Sequence, residues 1–519
     1  MKNIKKMKFI NKLSLAITLC ISVIAPVNKT DADNIDARKA RQVGAYFMAT
    51  QFGSKDISSD NLDQVYTLQN MVNHIPALYV FNTADKRGFV IVAGSDCVTP
   101  IVAYSTDGAF DPNNIPPNMM WWLNGEAADI VYAQNNELTA SKESAEQWRV
   151  LEEERIPHAG TKDDEIVRLL TTTWNQPWPY NAQCPQMSGG PSETHGRCYT
   201  GCVATAMAQI LRYWKFPYVG KSESAYNWNN GTILSANYAQ TYYDYDNMPN
   251  SISSSSPQSQ IDAVALLSYH CGVSVKMDYG VDGSGTQSTE VPKALRMYFK
   301  YVKDSMTFIS RDDARYRNTL SNGLEDAVSN EKDTNWVNDI KYHILKGRPV
   351  YYAGHSPDDD GSVHAGHAFV CDGWNPNTKT MHFNWGWGGS GDCWCNVYLS
   401  KLIPKSGSLS TYNFRDSHRA VIGITPPVDS ITTQVAIRPV DNPFSAEIYP
   451  NPANEQITVS LNISGNSNQT LQIFDATGRI VKQTTVSPVS NMVSISVSDL
   501  CPGVYFCRMQ GYSKKFIVR

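Results

Sequence analysis

The chain has 519 residues, 42% hydrophobic and 18% charged, which is the composition of an ordinary folded protein. Its 45 Lys and Arg residues nearly balance its 49 Asp and Glu residues, and neither sign forms a long block. This charge pattern favours neither nucleic acid nor an anionic membrane as a partner. The length exceeds what one hydrophobic core usually organises, so we expect two or more folding units.

The N-terminus has the pattern of an export signal. A basic start, MKNIKKMKFINK, precedes a mostly apolar run at residues 13–25. That run is shorter than the roughly 20 apolar residues that a spanning helix needs. We therefore predict a signal peptide over residues 1–32 and no membrane span in the mature form.

Export permits disulfides, and the chain has 11 cysteines, one of them in the signal. Cys393 and Cys395 are close in sequence, and so are Cys501 and Cys507. Spacing alone fixes no bridge, so the connectivity stays open.

After the signal, residues 37–53 have the periodicity of a helix, and residues 77–96 predict two strands around a polar turn. Residues 126–156, rich in Glu, Lys and Ala, predict an exposed helix. The polar stretch 157–165 predicts a linker open to proteolysis.

A second helix is predicted to begin at Cys202 and to stop before Pro217. Its apolar residues recur at helical spacing along one face: Val203, Ala206, Met207, Ile210, Leu211 and Trp214. A cysteine in a first helical turn lies near unpaired N–H groups, which favour the thiolate over the thiol. The alternative interpretation, a buried small apolar residue, is the commoner fate of a cysteine.

Strands are predicted from Pro349 to about Ile424, and His367 begins one of them. Asn-Pro-Asn within residues 374–377 is strong turn chemistry and predicts a hairpin. In that register Asn384 lies opposite His367, where its amide oxygen could orient the imidazole. A cysteine, a histidine and an asparagine in this order are typical of an acyl-transfer site. A lone strand histidine is more often structural, and a one-residue slip would separate this pair.

Paired prolines within residues 424–433 predict a second linker. The remainder alternates apolar and polar residues between turn signals, as in EQITVSLNISG and LQIFDATGRIVKQ. This pattern predicts a small all-β sandwich.

Several segments resemble streptopain-type cysteine peptidases, a branch of the papain-like enzymes: NQPWPYN, TGCVATAMAQILRYW, GHAFVCDGW and FNWGWGG. The resemblance covers most of residues 35–425. It implies an α+β fold, with a papain-like peptidase domain at residues 163–425 and an N-terminal α+β inhibitory pro-domain at residues 33–162.

Carried over to this sequence, the resemblance implies that Cys202 is the nucleophile, His367 the base, Asn384 the orienting residue and Gln176 the oxyanion donor. Trp385, Trp387 and Gly366 would line the substrate cleft. No metal or organic cofactor is implied. The acidic loop before His367 contains Asp358, Asp359, Asp360 and His364, but their spacing matches no calcium or zinc signature, and a solvated loop is expected.

One departure from the papain pattern lies just before the nucleophile. Where papain has C-G-S-C-W, this chain has CYTGCV, which supplies a second cysteine, Cys198. A bridge from Cys198 to Cys184 or to another partner is one expectation.

The C-terminal residues also resemble a known module. YPNPANEQITV, IFDATGRIV, LCPGVYFCRM and the final KKFIVR are similar to the sorting domain of the type IX secretion system. The resemblance implies a sorting domain at residues 444–519 behind a linker at residues 426–443, and export through the periplasm of a Gram-negative bacterium to the cell surface or medium. A β-sandwich adhesion module is the alternative.

These observations predict a secreted cysteine endopeptidase that is made as a zymogen. Its expected partners are protein or peptide substrates, its own pro-domain as inhibitor, and the secretion machinery. Two alternatives stay open: an exported adhesin or haemagglutinin that uses the fold for binding, and a transglutaminase-like acyltransferase.

Overall fold

The computed structural model describes residues 33–54, 56–70, 73–135, 140–154, 166–229, 231–302, 305–311, 313, 330–354, 366–396, 418–427, 445–462, 469–475, 479–487, 492–509 and 512–519. The predicted signal peptide, the predicted linker at 157–165 and the acidic sequence at 355–365 lie outside these ranges. The chain divides into two compact units, Met1–Pro426 and Pro427–Arg519. Within the described ranges, no helix has the length and apolar character needed to cross a membrane.

The first unit opens with three helices and four strands, here called the N-terminal segment (residues 33–154). They are α1 (Ala37–Phe52), β1 (Leu62–Gln69), β2 (Pro76–Thr83), β3 (Phe89–Ala93), β4 (Ile101–Ser105), α2 (Pro117–Asn135) and α3 (Lys142–Glu152). The Asp36 side chain caps α1 by accepting from the Lys39 N–H, and Gly53 ends it in the left-handed conformation. The predicted helix at 37–53 and the two strands within 77–96 are confirmed.

The prediction of one exposed helix over residues 126–156 is wrong. The structure has two helices there, α2 starting earlier than predicted and α3 capped by the Ser141 hydroxyl. Both helices bury an apolar face that includes Ile130, Trp148 and Leu151. In α3, Trp148 and Leu151 are three residues apart among charged residues, so the composition concealed an amphipathic pattern.

In the remainder of the first unit, the described residues form four α-helices and nine strands. They are β5 (Val167–Arg168), α4 (Cys202–Trp214), β6 (Glu223–Trp228), β7 (Thr232–Asn237), α5 (Gln258–Ser274), α6 (Glu290–Met297), β8 (Thr307–Ser310), α7 (Asn330–Leu345), β9 (Val350–Gly354), β10 (His367–Asn375), β11 (Thr380–Asn384), β12 (Cys393–Cys395) and β13 (Arg419–Ile422). The predicted Cys202 helix and the strands after Pro349 are confirmed.

One antiparallel sheet runs through the whole first unit. Its order is β1-β2-β3-β4-β12-β11-β10-β9-β13-β8, with β5 paired to β10. At the junction between the N-terminal segment and the rest, Tyr104 pairs with Trp394 and Ala103 with Cys395. The Asn396 N–H extends this ladder by donating to the Val102 carbonyl at 2.8 Å. The N-terminal segment is therefore joined to the unit through backbone hydrogen bonds as well as side chains.

Helix α4 packs against β10 and α5 with nine consecutive residues buried, Val203 to Leu211. Gly201 precedes it with φ of 90° and ψ of 137°. A Cβ atom at this position would lie 2.8 Å from Met277 Cε and 3.0 Å from the Ser284 carbonyl oxygen. Only glycine fits both the backbone conformation and the space, and this fixes where α4 begins.

The second unit is all β, as predicted. Its strands are β14 (Ser445–Tyr449), β15 (Gln456–Asn462), β16 (Gln469–Asp475), β17 (Ile480–Val486), β18 (Met492–Ser496), β19 (Gly503–Met509) and β20 (Tyr512–Val518). They form a sheet of order β14-β15-β18 and a sheet of order β17-β16-β19-β20. Their core includes Ile457, Val459, Ile473 and Phe516.

The ten cysteines in the described residues are all free thiols. Cys184 and Cys198 are both buried and are not bonded to each other, so the bridge considered for them is absent. The sulfurs of Cys393 and Cys395 lie 3.4 Å apart on one face of β12 without a bond.

We expect Gly201→Ala to destabilise the first unit by about 2–3 kcal/mol, because the new Cβ meets both an unfavourable φ and packed atoms. Gly189→Ala is the matched control, since Gly189 has φ of 96° and no atom lies within 4 Å of the place that a Cβ would take. Thermal unfolding of the full chain measures both. Equal losses in the two variants would contradict the packing argument.

Candidate active site

The sulfur of Cys202 lies between the Gly366 carbonyl and the Ala368 N–H, at the start of β10. Cys202 is the first residue of α4 and is partly exposed. Its Sγ donates to the Gly366 carbonyl oxygen at 3.9 Å, and the Ala368 N–H donates to the sulfur. These are the residues on either side of His367, so packing of α4 on β10 brings the predicted nucleophile to the backbone of the predicted base.

The pKa of Cys202 shifts in the direction opposite to the one predicted. Burial raises the pKa of the Cys202 thiol above its ordinary value, although the N–H groups of Ala368, Val203 and Cys202 itself lower it. The position at a helix start predicted a thiolate. In the full chain the effect of lost solvation on the pKa outweighs that of these N–H groups.

His367 is the first residue of β10 and is partly buried. It pairs across the sheet with Gly354 of β9, and Ala368 pairs with Ala353. Pairing with β9 therefore holds the backbone of His367 at the start of β10. The acidic loop precedes His367 in the chain.

Gln176 lies beside the residues that lead into α4. Its carbonyl oxygen accepts hydrogen bonds from the Thr200 N–H at 3.1 Å and the Thr200 hydroxyl at 2.9 Å. The residue is 4% exposed, and its side-chain Nε2 is buried without a hydrogen-bond partner among the described residues. Because its backbone is anchored just before Cys202, this unsatisfied donor is suited to an oxygen that becomes charged only during a reaction.

The predicted pairing of Asn384 with His367 is wrong. Asn384 lies opposite Val370 in the β10-β11 ladder. The turn is at residues 376–379, because the Asn375 side chain accepts from the N–H groups of Asn377 and Thr378 and so starts the turn later than predicted. A bulge at Asp372 moves the register back by one residue, which leaves Asn384 opposite Val370 and not His367.

The amide of Asn384 is held by other groups. Its Oδ1 accepts from Gln209 Nε2 at 2.9 Å and from the Gly386 N–H at 3.1 Å, and its Nδ2 donates to the Thr172 carbonyl at 2.7 Å. Both lone pairs of its carbonyl oxygen are thus occupied. In the full chain Asn384 connects α4 to the chain at residues 172 and 386.

The predicted cleft residues separate into two environments. Trp385 is 0% exposed, donates from Nε1 to the Gly391 carbonyl at 2.8 Å, and packs against Phe369, so it lines a core and not an open cleft. Trp387 is partly exposed, with its ring centroid 6.3 Å from that of Tyr199. Gly366 is exposed and contacts the Cys202 sulfur.

The N-terminal segment reaches this site through Asn118 of α2. Asn118 is 0% exposed, and its Nδ2 donates to the Trp385 carbonyl at 2.5 Å and to the Ala368 carbonyl at 3.4 Å. One amide therefore binds both the loop after β11 and the carbonyl of Ala368, the residue that follows His367.

Sequence reasoning missed Gln209, Asn118, Tyr199 and a buried carboxyl at Asp392. Gln209 had a usable signal, because it follows Cys202 by seven residues and so lies on the same face of α4. The other three had none, since only the folded chain brings them to the site. Across the described ranges, no group of three His, Cys, Asp or Glu side chains is arranged to hold a metal ion.

Comparison with protein families gives three matches. The Peptidase C10 family matches residues 174–395, the Spi protease inhibitor family matches residues 32–130, and the secretion system C-terminal sorting domain matches residues 447–519. The last match confirms the predicted sorting domain and export from a Gram-negative bacterium. The boundaries predicted between the domains remain predictions.

Individual proteins agree with these families. The chain is 31% identical over 419 residues to the thiol protease/hemagglutinin PrtT of Porphyromonas gingivalis, covering 79% of this chain and 43% of that protein. It is 30% identical over 370 residues to streptopain of Streptococcus pyogenes, covering 67% of this chain and 81% of streptopain. The chain thus spans less than half the length of the first relative and most of the second.

Among solved structures, a fragment of prointerpain A from Prevotella intermedia superposes with a TM-score of 0.53 at 28% identity. The match covers 70% of this chain and 99% of that fragment. It confirms the predicted fold class, an α+β peptidase with an N-terminal pro-domain. The chain therefore belongs to the Peptidase C10 family of cysteine-type endopeptidases.

Proposed function

We propose that the chain is a secreted endopeptidase zymogen in which Cys202 is the nucleophile, His367 the general base and Gln176 an oxyanion donor. The observation that carries this proposal is the position of the Cys202 sulfur at the first turn of α4, between the Gly366 carbonyl and the Ala368 N–H. That position makes His367, the residue between these two contacts, the histidine adjacent to the sulfur along the strand.

The proposed reaction has two stages. His367 takes the proton of the Cys202 thiol, and the thiolate attacks the carbonyl carbon of a peptide bond to form a C–S bond. The oxyanion accepts from Gln176 Nε2 and the Cys202 N–H. The C–N bond breaks as the His367 imidazolium gives its proton to the leaving amine. Water, deprotonated by His367, then attacks the thioester, and the C–S bond breaks to release the acid and restore the thiolate.

We assign Asn384 a positioning role in the full chain. Its bonds to Gln209 and Gly386 connect the nucleophile helix to the loop behind the site. A direct bond from Asn384 to His367 would replace one of the two hydrogen bonds that its carbonyl oxygen already accepts.

We propose that the pro-domain inhibits by occupying the region beside His367. Two observations support this: the sheet pairing of β4 with β12, and the Asn118 bonds to Trp385 and Ala368. The raised pKa of Cys202 in the full chain agrees with an unactivated thiol. The C-terminal unit, as a sorting domain, is proposed to engage the secretion machinery and to take no part in the chemistry.

We expect Cys202→Ala to lower hydrolysis of casein by at least about 10⁴-fold and to leave the chain unprocessed, because the nucleophile is lost. Cys501→Ser is the control, since Cys501 is an exposed thiol of the second unit. Fragments are identified by mass spectrometry with and without a thiol-alkylating epoxide. Undiminished cleavage by Cys202→Ala would contradict the proposal.

The same assay separates the alternatives. With an added amine, an acyltransferase yields an amide at the acyl fragment, whereas a peptidase yields a free acid. The name of the P. gingivalis relative includes hemagglutinin, and a binding function of that kind would survive Cys202→Ala.

We expect Gln176→Ala to lower kcat about 10²–10³-fold with little change in KM, because the oxyanion donor acts only in the transition state. Gln258→Ala is the control, since Gln258 is an exposed glutamine on α5 that bonds Asp262. Steady-state kinetics on a peptide substrate measure both. A purely structural Gln176 would instead lower the melting temperature and leave kcat of the folded fraction unchanged.

We expect Asn118→Ala to speed conversion of the full chain to its mature form about ten-fold, because loss of a buried hydrogen-bonding amide weakens pro-domain docking by about 1–2 kcal/mol. Asn113→Ala is the control, an exposed asparagine near the start of the same helix. A time course on gels measures the conversion. Unchanged or slower conversion of Asn118→Ala would contradict the role of this contact.

A further inference from the structure

A buried carboxyl lies behind the active-site wall. Residues 385–391, here called the tryptophan loop, connect β11 to Asp392. The Asp392 Oδ1 accepts from the Trp385 N–H at 2.9 Å, and the Asp392 N–H donates to the Gly389 carbonyl at 3.3 Å. The residue is 6% exposed, and its Oδ2 is buried with no hydrogen-bond partner among the described residues.

Three charged or titratable groups face this carboxyl: His382 of β11, Asp372 of β10 and Arg168 of β5. His382 Nδ1 lies 2.6 Å from Asp372 Oδ1, and Asp372 Oδ2 accepts from the Leu170 N–H. Burial raises the pKa of Asp392 to about 6, and the Asp372 charge adds to the rise. His382, the Trp385 N–H and Arg168 act in the opposite direction.

Ionisation of the buried Asp392 carboxyl lowers the stability of the fold. A carboxyl with a raised pKa stabilises the fold fully at pH values below its ordinary pKa of about 4, and that stabilisation is lost as the pH rises through about 6. An apolar side chain would avoid this loss. A buried carboxyl that costs stability near neutral pH, with one oxygen unsatisfied, is therefore a candidate for a functional role.

The backbone of Trp385 connects the Asp392 carboxyl to the site. Its N–H binds Asp392 on the inner side, and its carbonyl accepts from Asn118 of the pro-domain on the outer side. The same Asn118 amide binds the carbonyl of Ala368, the residue after His367. At the far end of the loop, the Ser390 hydroxyl donates to the Asn114 carbonyl at 3.4 Å. A shift of the Trp385 backbone therefore affects both the wall of the site and the contact with the pro-domain.

We propose that Asp392 is a proton-sensitive positioning residue, whose ionised carboxyl fixes the Trp385 peptide and with it the tryptophan loop in the arrangement that catalysis requires. An ionised acceptor makes the stronger hydrogen bond to an N–H group, so protonation loosens the loop. The proposal rests on the proposed peptidase function for its kinetic consequence, and its structural half is testable without activity.

The structural half is tested by NMR on the full chain carrying Cys202→Ala, which cannot process itself. Labels of ¹³C in the asparagine carbonyl and ¹⁵N in tryptophan select tryptophans that follow an asparagine: Trp228, Trp336 and Trp385. We expect the Trp385 amide signal to shift between pH 5 and 7, and the shift to be absent in Asp392→Asn. A Trp385 signal that does not titrate, or one that still titrates in Asp392→Asn, overturns the proposal.

The kinetic half uses the mature enzyme and a peptide substrate. We expect kcat of the wild type to rise as the pH passes about 6, and Asp392→Asn to lack this step and stay about five- to ten-fold lower at pH 7.5, with KM changed less than about two-fold. Asp262→Asn, an exposed aspartate on α5, is the control. Hydrolysis with identical pH profiles in Asp392→Asn and wild type overturns the positioning role. No hydrolysis by any variant would instead count against the peptidase function and leave the NMR result to decide on Asp392.

Discussion

The site depends on the packing of α4 against β10. That contact brings the Cys202 sulfur to the peptide groups on both sides of His367, although the two residues are far apart in sequence. It requires a glycine at position 201, because the chain enters α4 with positive φ and passes close to Met277 and Ser284. A helix that began one residue earlier or later would rotate the sulfur away from the strand. The chemistry is thus set by where one helix starts.

The pro-domain is built into the same sheet as the peptidase. Strand pairing between β4 and β12 satisfies backbone groups that would otherwise form an open edge. Asn118 adds a contact at the site itself. Burial raises the pKa of the Cys202 thiol further above its ordinary value in the full chain.

The polar groups behind the site form a second layer. Gln209 and Asn384 connect α4 to the tryptophan loop, and Asp392 connects that loop to the His382 and Asp372 pair. Each of these side chains is nearly or fully buried. Buried polar groups of this kind hold specific geometry at a cost in stability. Polar groups of the peptidase therefore hold the tryptophan loop from the inside, and Asn118 of the pro-domain binds it from the outside.

The sequence by itself determined the local structure and the identity of the proposed reacting groups. The helix that starts at Cys202, the strand that starts at His367 and the all-β C-terminal unit follow from hydrophobic periodicity and turn residues. The family resemblance added Gln176, whose unsatisfied amide the fold then placed near the start of α4. Only the tertiary structure decided how these parts meet. The Asn375 side chain moved the hairpin turn and Asp372 introduced a bulge, so Asn384 faces Val370 and bonds Gln209. The pKa of the Cys202 thiol is raised, where the helix start alone predicted a lower one, because burial in the folded chain removes solvation. Periodicity reports which face of an element is buried, whereas register and desolvation depend on what lies against that face.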